Sequence, residues 1–237
     1  MFKFLKKSSR APAPAAPRHI AFIMDGNRRW ARRRGLSPLY GHQKGAEVID
    51  GVLRHLFNRG VKVVSFYAWS IENWSRSDEE VQHIMGYIMR EMPAHIESAK
   101  KDGARVRFIG RRGVLSKDMV SMFELAEKET AKNEKGTIVF AIDYGGRDEI
   151  VRAANRAIAA GKVVDEKSFE EFMDTGDLPP IDLVVRTSGE QRVSNFMLWK
   201  LAYAEFMFIP EDWPDMKPKI LDRILDDFGT RQRRFGK

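Results

Sequence analysis

Residues 22–45 read FIMDGNRRWARRRGLSPLYGHQKG, and they hold the chain's densest set of chemistry-bearing side chains. A single carboxylate, Asp25, ends a short apolar run. Gly26 and Asn27 follow it, and then five arginines fall within seven residues: Arg28, Arg29, Arg32, Arg33 and Arg34. A glycine-histidine pair, Gly41-His42, opens a helical pattern. A carboxylate beside backbone N–H groups and a cluster of guanidinium forks suits a magnesium-bound diphosphate. The acid takes the metal, while the N–H groups and arginines take the phosphate oxygens.

The elements that must position these groups are legible as alternating patterns. Short apolar runs bounded by Gly, Asp or Pro predict strands at 20–24, 62–68, 105–109, 137–142, 182–186 and 205–209. Helical spacing falls between them, near 42–59, from about 78 onward, and near 116–134, 147–160, 166–174 and 217–232. The segment Ser77-Asp78-Glu79-Glu80 reads as the cap and acidic first turn of one of these helices. Strands alternating with helices imply crossover connections. The predicted fold is α/β: a single domain with a mostly parallel, twisted sheet of about six strands flanked by helices. Ligands of such sheets bind beyond the carboxyl ends of the strands. Four polar clusters follow predicted strands in this way: Asp25-Gly26-Asn27, Ser70 to Arg76, Asp143 to Arg147 and Arg186 to Arg192.

Composition narrows the classes. With 237 residues, 43% hydrophobic and 31% charged, the chain suits one globular domain. No apolar run approaches the roughly 20 residues of a membrane-spanning helix. There is no cysteine, which excludes disulfides, thiol catalysis and thiolate zinc sites and makes the cytoplasm the natural compartment. Residues 1–34 carry ten Lys and Arg and one acid (+9), so the rest of a chain of net charge +8 nets −1. The basicity is therefore local. It predicts a polyanion site and a basic arm able to meet an anionic membrane surface. Residues 1–18, with their APAPAAP stretch, read as a disordered leader preceding a domain over 19–237. The P-loop, dinucleotide-binding and zincin motifs are absent. A nucleic-acid reading is disfavoured because no recognition module accompanies the charge.

The segments MDGNRRWARRRG–GHQKG, FYAWSIENWSR, FIGRRGVLS, IDYGGRDEI and DLVVRTSGEQRVSNFMLWKLAYAEFMFIPEDWPDM occur in one order over about 19–234. Together they resemble the cis-prenyltransferase family, whose bacterial members include undecaprenyl diphosphate synthase. The resemblance implies a Mg2+-dependent enzyme, usually a homodimer, that adds isopentenyl diphosphate units to an allylic diphosphate primer such as farnesyl diphosphate. It implies that Asp25 binds Mg2+ and assists departure of the allylic diphosphate, with Glu205 as a second acidic metal ligand. It assigns the allylic diphosphate to Gly26, Asn27, Arg28, Arg29, Trp30, His42 and Arg76. It places Asn73 near the condensing carbons, relaying or positioning for proton loss, and counts Ser70, Ile71, Glu72 and Trp74 among the substrate-binding residues. Isopentenyl diphosphate falls to Arg186, Arg192, Val193 and Ser194, and Arg234 and Gly236 would reach a diphosphate in the partner subunit. Arg32, Arg33 and Arg34 are expected on a solvated helix face.

Three positions depart from the family pattern. Arg28 stands where many relatives have glycine, Pro38 where many have a phosphate-gripping arginine, and Trp69 where a smaller aromatic is common. A non-catalytic subunit supporting a prenyltransferase partner is the rival reading, as is a basic nucleic-acid- or membrane-binding protein. The retained Asp25, Asn73 and Glu205 set weighs against both.

Overall fold

The computed structural model describes residues 16–231. The predicted elements Arg234 and Gly236, and most of the leader, lie outside the described residues. Six strands, β1 (His19–Ile23), β2 (Val63–Ser70), β3 (Ala104–Ile109), β4 (Gly136–Tyr144), β5 (Leu183–Arg186) and β6 (Glu205–Phe208), form one sheet in the order β3-β4-β2-β1-β5-β6. Every pairing is parallel. The helices are α1 (Asn27–Arg32), α2 (Pro38–Glu47), α3 (Ile49–Asn58), α4 (Asp78–Lys101), α5 (Lys117–Thr130), α6 (Gly146–Ala159), α7 (Glu166–Phe169) and α8 (Pro218–Thr230).

The period-2 pattern of the strands explains the layers. Ile20 and Phe22, Val64 and Phe66, and Ile138, Phe140 and Ile142 point to one face, where α3, α4, α5 and α8 cover them. Ala21, Ile23, Val139, Ala141 and Val184 point to the other, against Ile181, Phe196 and Met197. A parallel sheet buried on both sides reads as continuous apolar runs for this reason.

Two sequence expectations need correction. The single helix expected at 42–59 is two helices, because Val48 caps α2 and starts α3. Alternation also breaks in β2. Tyr67 pairs with Ala141 but Trp69 pairs with Ile142, so Ala68 is an extra residue in a bulge. The bulge turns Trp69 back to the face of Phe66, and bulges of this kind re-aim side chains beside binding sites.

The winding changes direction at β1. The chain leaves β1 for β2 on one side, and β5 later pairs on the other. Such a switch point opens a crevice at the carboxyl ends of the two strands.

At the opposite edge His19 is fully buried. Its Nδ1 lies 2.9 Å from the Pro179 carbonyl and its Nε2 2.7 Å from Ser65 Oγ. Burial pushes its pKa down to about 4, although the Pro179 carbonyl and Asp182 pull it up. The folded chain thus binds a proton later than the unfolded chain, whose histidine titrates near 6.5. The stabilising contribution is complete above that value and falls away between about 6.5 and 4. Urea midpoints should therefore drop more steeply between pH 7 and 4.5 in the wild type than in His19→Gln. Parallel curves would show that His19 is not neutral in the folded chain.

Candidate anion-binding site

Asp25 lies two residues past β1, and its backbone is locked before its side chain is considered. Its carbonyl accepts from Trp213 N at 3.0 Å and from Thr187 Oγ1 at 2.6 Å. Its carboxylate then takes Gly26 N at 2.7 Å, Arg186 Nη2 at 2.9 Å and Arg29 Nη2 at 3.3 Å. Arg186 is 4% exposed and extends from the end of the neighbouring strand β5. Its other terminal nitrogen donates to Ser194 Oγ at 2.7 Å and to the Arg192 carbonyl at 2.6 Å.

Gly26 makes the turn possible. Its φ is +98°, and a Cβ there would overlap the Asp212 carboxylate and come within 2.8 Å of Ser188 Cβ. Asp212 is itself buried and is held by Ser188 Oγ at 2.5 Å and by Arg33. Gly41 lets α2 lie directly on the Asn27 carbonyl, where a Cβ would overlap the oxygen. All five non-glycine residues with positive φ among the described residues, Asp143, Ser188, Ser194, Asn195 and Met197, lie at or just beyond the carboxyl ends of β4 and β5. Strain of this sort collects where a site must be shaped.

The cations divide into two groups, each tied to one glutamate. Glu80 holds Arg76 at 2.8 Å, Arg28 at 3.5 Å and His42 Nε2 at 3.6 Å. Glu190 holds Arg29 and Arg192, each at 2.5 Å. These hydrogen bonds, Arg29 first, hold the Glu190 carboxyl below its ordinary value. The Glu190 hydrogen bond in turn raises Arg29. Burial and then Arg76 push the His42 pKa down to about 4, so its ring is neutral at pH 7.

These groups surround connected cavities. The inner one, of about 220 Å3, is lined by Asp25, Asn27, His42, Ser70, Asn73, Arg76, Arg186 and Ser194 among others. The outer mouth, of about 280 Å3, adds Gly26, Arg28, Arg29, Arg32 and Arg192. Six buried side-chain polar atoms lack a hydrogen-bond partner among the described residues. Four of them, Asn27 Oδ1, His42 Nε2, Trp69 Nε1 and Arg186 Nε, belong to residues lining the inner cavity. Native interiors satisfy such atoms, so this concentration marks a place built for a polar ligand.

Several expected site residues have other work. Trp30 Nε1 donates to Asp215 at 2.7 Å beneath the Arg34 guanidinium, 4.1 Å from the ring, and Trp30 does not line the cavities. Trp74 Nε1 donates to buried Asp143 at 2.6 Å, which Arg111 also grips through two nitrogens at 2.9 Å. Glu72 accepts from Asn195 at 3.0 Å, Ile71 packs against Gly145, and Val193 packs against the second core cluster. These residues brace the loops rather than line the inner cavity. Arg32, Arg33 and Arg34 are all exposed, as expected; Arg32 also borders the mouth, and Arg33 and Arg34 pair with Asp212 and Asp215.

Glu205 is the clearest displacement. It begins β6 opposite Leu183, whereas Asp25 meets Arg186 at the far end of the same strand pair. Three residues at roughly 3.3 Å each separate the two levels. The Glu205 carboxylate is bound by Arg231 at 2.9 Å, so within this chain it does not join Asp25. Conversely, Glu80, Glu190 and Asp212 were not singled out from the sequence. Glu190 was legible in principle, as an acid between Arg186 and Arg192. Glu80 was hidden because an acid in a first helical turn already has an ordinary explanation.

The fold and this cleft define an α/β protein with an arginine-lined cleft at the carboxyl ends of parallel strands. Comparison with known proteins makes the class specific. A family model described as putative undecaprenyl diphosphate synthase matches residues 23–236. The isoprenyl transferase of Aquifex pyrophilus is 40% identical over 222 residues, spanning 93% of this chain and 96% of that protein. The isoprenyl transferase of Agrobacterium fabrum is 40% identical over 227 residues, spanning 93% and 92%. Lavandulyl diphosphate synthase from Lavandula x intermedia, crystallised with dimethylallyl diphosphate, matches with a TM-score of 0.89 at 31% identity over 94% of this chain and 99% of its own. A probable undecaprenyl diphosphate synthase from Campylobacter jejuni gives 0.81 at 29% identity, over 94% and 100%. The chain belongs to the undecaprenyl diphosphate synthase family of isoprenyl transferases.

Gly26→Ala tests the geometry directly. A left-handed alanine costs about 1–2 kcal/mol, before any displacement of Asp212. The variant should melt earlier and lose most of its affinity for inorganic pyrophosphate in calorimetry. Unchanged affinity would mean that the turn does not shape the anion site.

Proposed function

We propose that this chain elongates an allylic diphosphate, with farnesyl diphosphate as primer, by adding isopentenyl diphosphate units with cis geometry in a Mg2+-dependent reaction. The observation that carries the reading is Asp25, the one carboxylate lining the inner cavity, paired with both Arg186 and Arg29. The Aquifex pyrophilus and Agrobacterium fabrum relatives carry the isoprenyl transferase name, which supports the coarser part of the reading.

Whether magnesium fits can be judged from the donors. No group of three or more His, Cys, Asp or Glu among the described residues could hold a metal ion. Asp25 is the one carboxylate lining the inner cavity. Magnesium is commonly held by one or two carboxylates, with phosphate oxygens and water completing six ligands, so this donor set fits an ion that arrives with a diphosphate. Bound there, the ion supplies charge neutralisation as the allylic C1–O bond breaks.

The remaining work falls to this chain's own groups. Arg28, Arg76 and neutral His42 form one phosphate-binding wall, against the primer diphosphate. Arg186, Arg192 and Ser194 form the other, against isopentenyl diphosphate, whose terminal alkene carbon attacks the allylic C1 while a proton leaves its C2. Arg28 and Arg32 add guanidinium groups at the mouth, which supports compensation for the arginine replaced by Pro38. Pro38 itself is the first residue of α2, a position proline favours. Asn73 accepts from Ser70 N through Oδ1 at 3.0 Å, which leaves its NH2 as the group to meet a ligand. An NH2 only donates, so Asn73 serves by positioning a phosphate oxygen rather than as a base. A homodimer is part of the proposal, supported by Val151 and Ile158 on one face of α6, 59% and 74% exposed.

Purified protein with labelled isopentenyl diphosphate, farnesyl diphosphate and Mg2+ should incorporate label into polyprenyl diphosphate, and EDTA should stop it. Asp25→Ala should lower kcat/KM by at least about 10²-fold, and the variant should still fold but melt earlier, because the nearly buried Arg186 loses a partner. No incorporation with geranyl, farnesyl or geranylgeranyl primers would overturn the reading.

A further inference from the structure

The turn after β2 carries Asn73 and Arg76 to the inner cavity, and the two are held in different ways. Arg76 has anchors of its own: the Glu80 carboxylate at 2.8 Å and the ring of Trp69, 5.3 Å from its guanidinium. Asn73 has none outside the turn. Among the described residues its hydrogen bonds are all local. Its Oδ1 accepts from Ser70 N at 3.0 Å, its backbone N–H donates to the Ser70 side chain, and its carbonyl accepts from Arg76 N at 3.2 Å. These bonds fix Asn73 within the single 3-10 turn Ile71–Ser75. They do not fix that turn against the sheet, and an isolated turn of this kind is weak by itself.

That task falls to the two neighbours of Asn73. Glu72 accepts from Asn195, beyond β5, at 3.0 Å in an exposed setting. Trp74 reaches the other way, to the end of β4, where its Nε1 donates to Asp143 Oδ1 at 2.6 Å. The second tie is the firmer one. Asp143 is 0% exposed, and Arg111 donates to both of its carboxylate oxygens at 2.9 Å. Arg111 N also donates to the Asp143 carbonyl at 3.0 Å. A buried carboxylate held by three N–H groups cannot swing away without leaving charge unpaired. Its backbone is set as well, at φ +50°, where aspartate and asparagine are tolerated better than other side chains. The Trp74 ring meets Trp69 edge-on, with centroids 5.6 Å apart. Asp143, Arg111 and Trp74 all lie outside the lining of the inner cavity, so their effect on it passes through the turn.

Resting on the reading given under Proposed function, we propose that Asp143, clamped by Arg111, is a positioning residue that sets Asn73 against the substrates by holding Trp74. The carboxylate at the end of β4 and the amide after β2 then act as one unit, although only the amide faces the ligand. A positioned group loses its value quickly when it drifts, since a misplacement of about 1 Å can cost roughly 10²-fold in rate.

The test is steady-state kinetics of the purified full chain with farnesyl and isopentenyl diphosphates. Trp74→Phe keeps a ring against Trp69 and removes the N–H. It should lower kcat at least about tenfold. The KM for farnesyl diphosphate should stay within about twofold, because Arg76 keeps its own anchors. In an Asn73→Ala background the same substitution should cost less than about twofold, since the group being positioned is gone. Asp143→Ala should reproduce the loss, and Asp143→Asn, which still offers Trp74 an acceptor and suits the left-handed backbone, should recover most of it. If Asp143→Ala does not fold, Trp74→Phe in the two backgrounds decides alone. Equal losses in both backgrounds, as a bond serving stability only would give, would overturn the inference, and so would wild-type kcat in Trp74→Phe. Either result leaves the transferase reading intact. Absence of any product from the wild type would overturn that reading and this inference with it.

Discussion

The structure depends on one contact made across the ends of two neighbouring strands. Asp25 follows β1, Arg186 ends β5, and their ion pair closes the switch point of the sheet. Arg186 is almost wholly buried, and a buried guanidinium without partners would be costly. Asp25, Ser194 and the Arg192 carbonyl offset that cost, and in doing so fix the loop 187–195 against β1. The same carboxylate is positioned through its own backbone by Thr187 and Trp213. The site therefore forms where the sheet closes, and the loops that carry its other residues are anchored to the strand ends by this pair.

Around that contact the charge is balanced in two separate parcels. Glu80 neutralises the cations of α1 and of the segment after β2, and Glu190 those of α1 and the loop after β5. Without them, at least five guanidinium groups would crowd one cleft. The glutamates keep the arginines ordered while leaving each able to exchange a carboxylate for a phosphate oxygen, its nearest geometric equivalent. That the polar cavity gives way to an apolar one at Ile84 and Ala68 also matches an amphipathic ligand, charged at one end and hydrocarbon at the other.

Much of the fold was legible because a parallel sheet writes itself in apolar runs. All six strands were located to within two residues at their ends, and the polar residues after β1, β2, β4 and β5 do lie along one edge. What escaped had particular causes. The bulge at Ala68 obeys no alternation, since an extra residue changes the face of Trp69 without changing its hydrophobicity. The split at Val48 lacks the glycine or proline that normally announces a helix end. Trp30 and Trp74 have the composition of ligand-binding aromatics but spend their N–H groups on Asp215 and Asp143, a choice made by tertiary partners. Glu205 follows the cavity-lining Arg186 and Ser194 in the same resembling segment, and only register shows that it stands at the opposite end of the strand pair.

The wide spacing of the two halves of the cleft has a consequence for how the molecule comes into being. Asp25 and Arg186 are 161 residues apart in sequence, and every strand pairing in the sheet is of the non-local, parallel kind. Loop-closure entropy makes such pairings late events. During synthesis β1 is finished long before β5 leaves the ribosome, so the edge that takes β5 stays open and Asp25 lacks Arg186 while most of the polypeptide is made. The cleft between these two residues is thus completed in a single closing step near the end of folding, and a nascent chain that stops short of β5 lacks it.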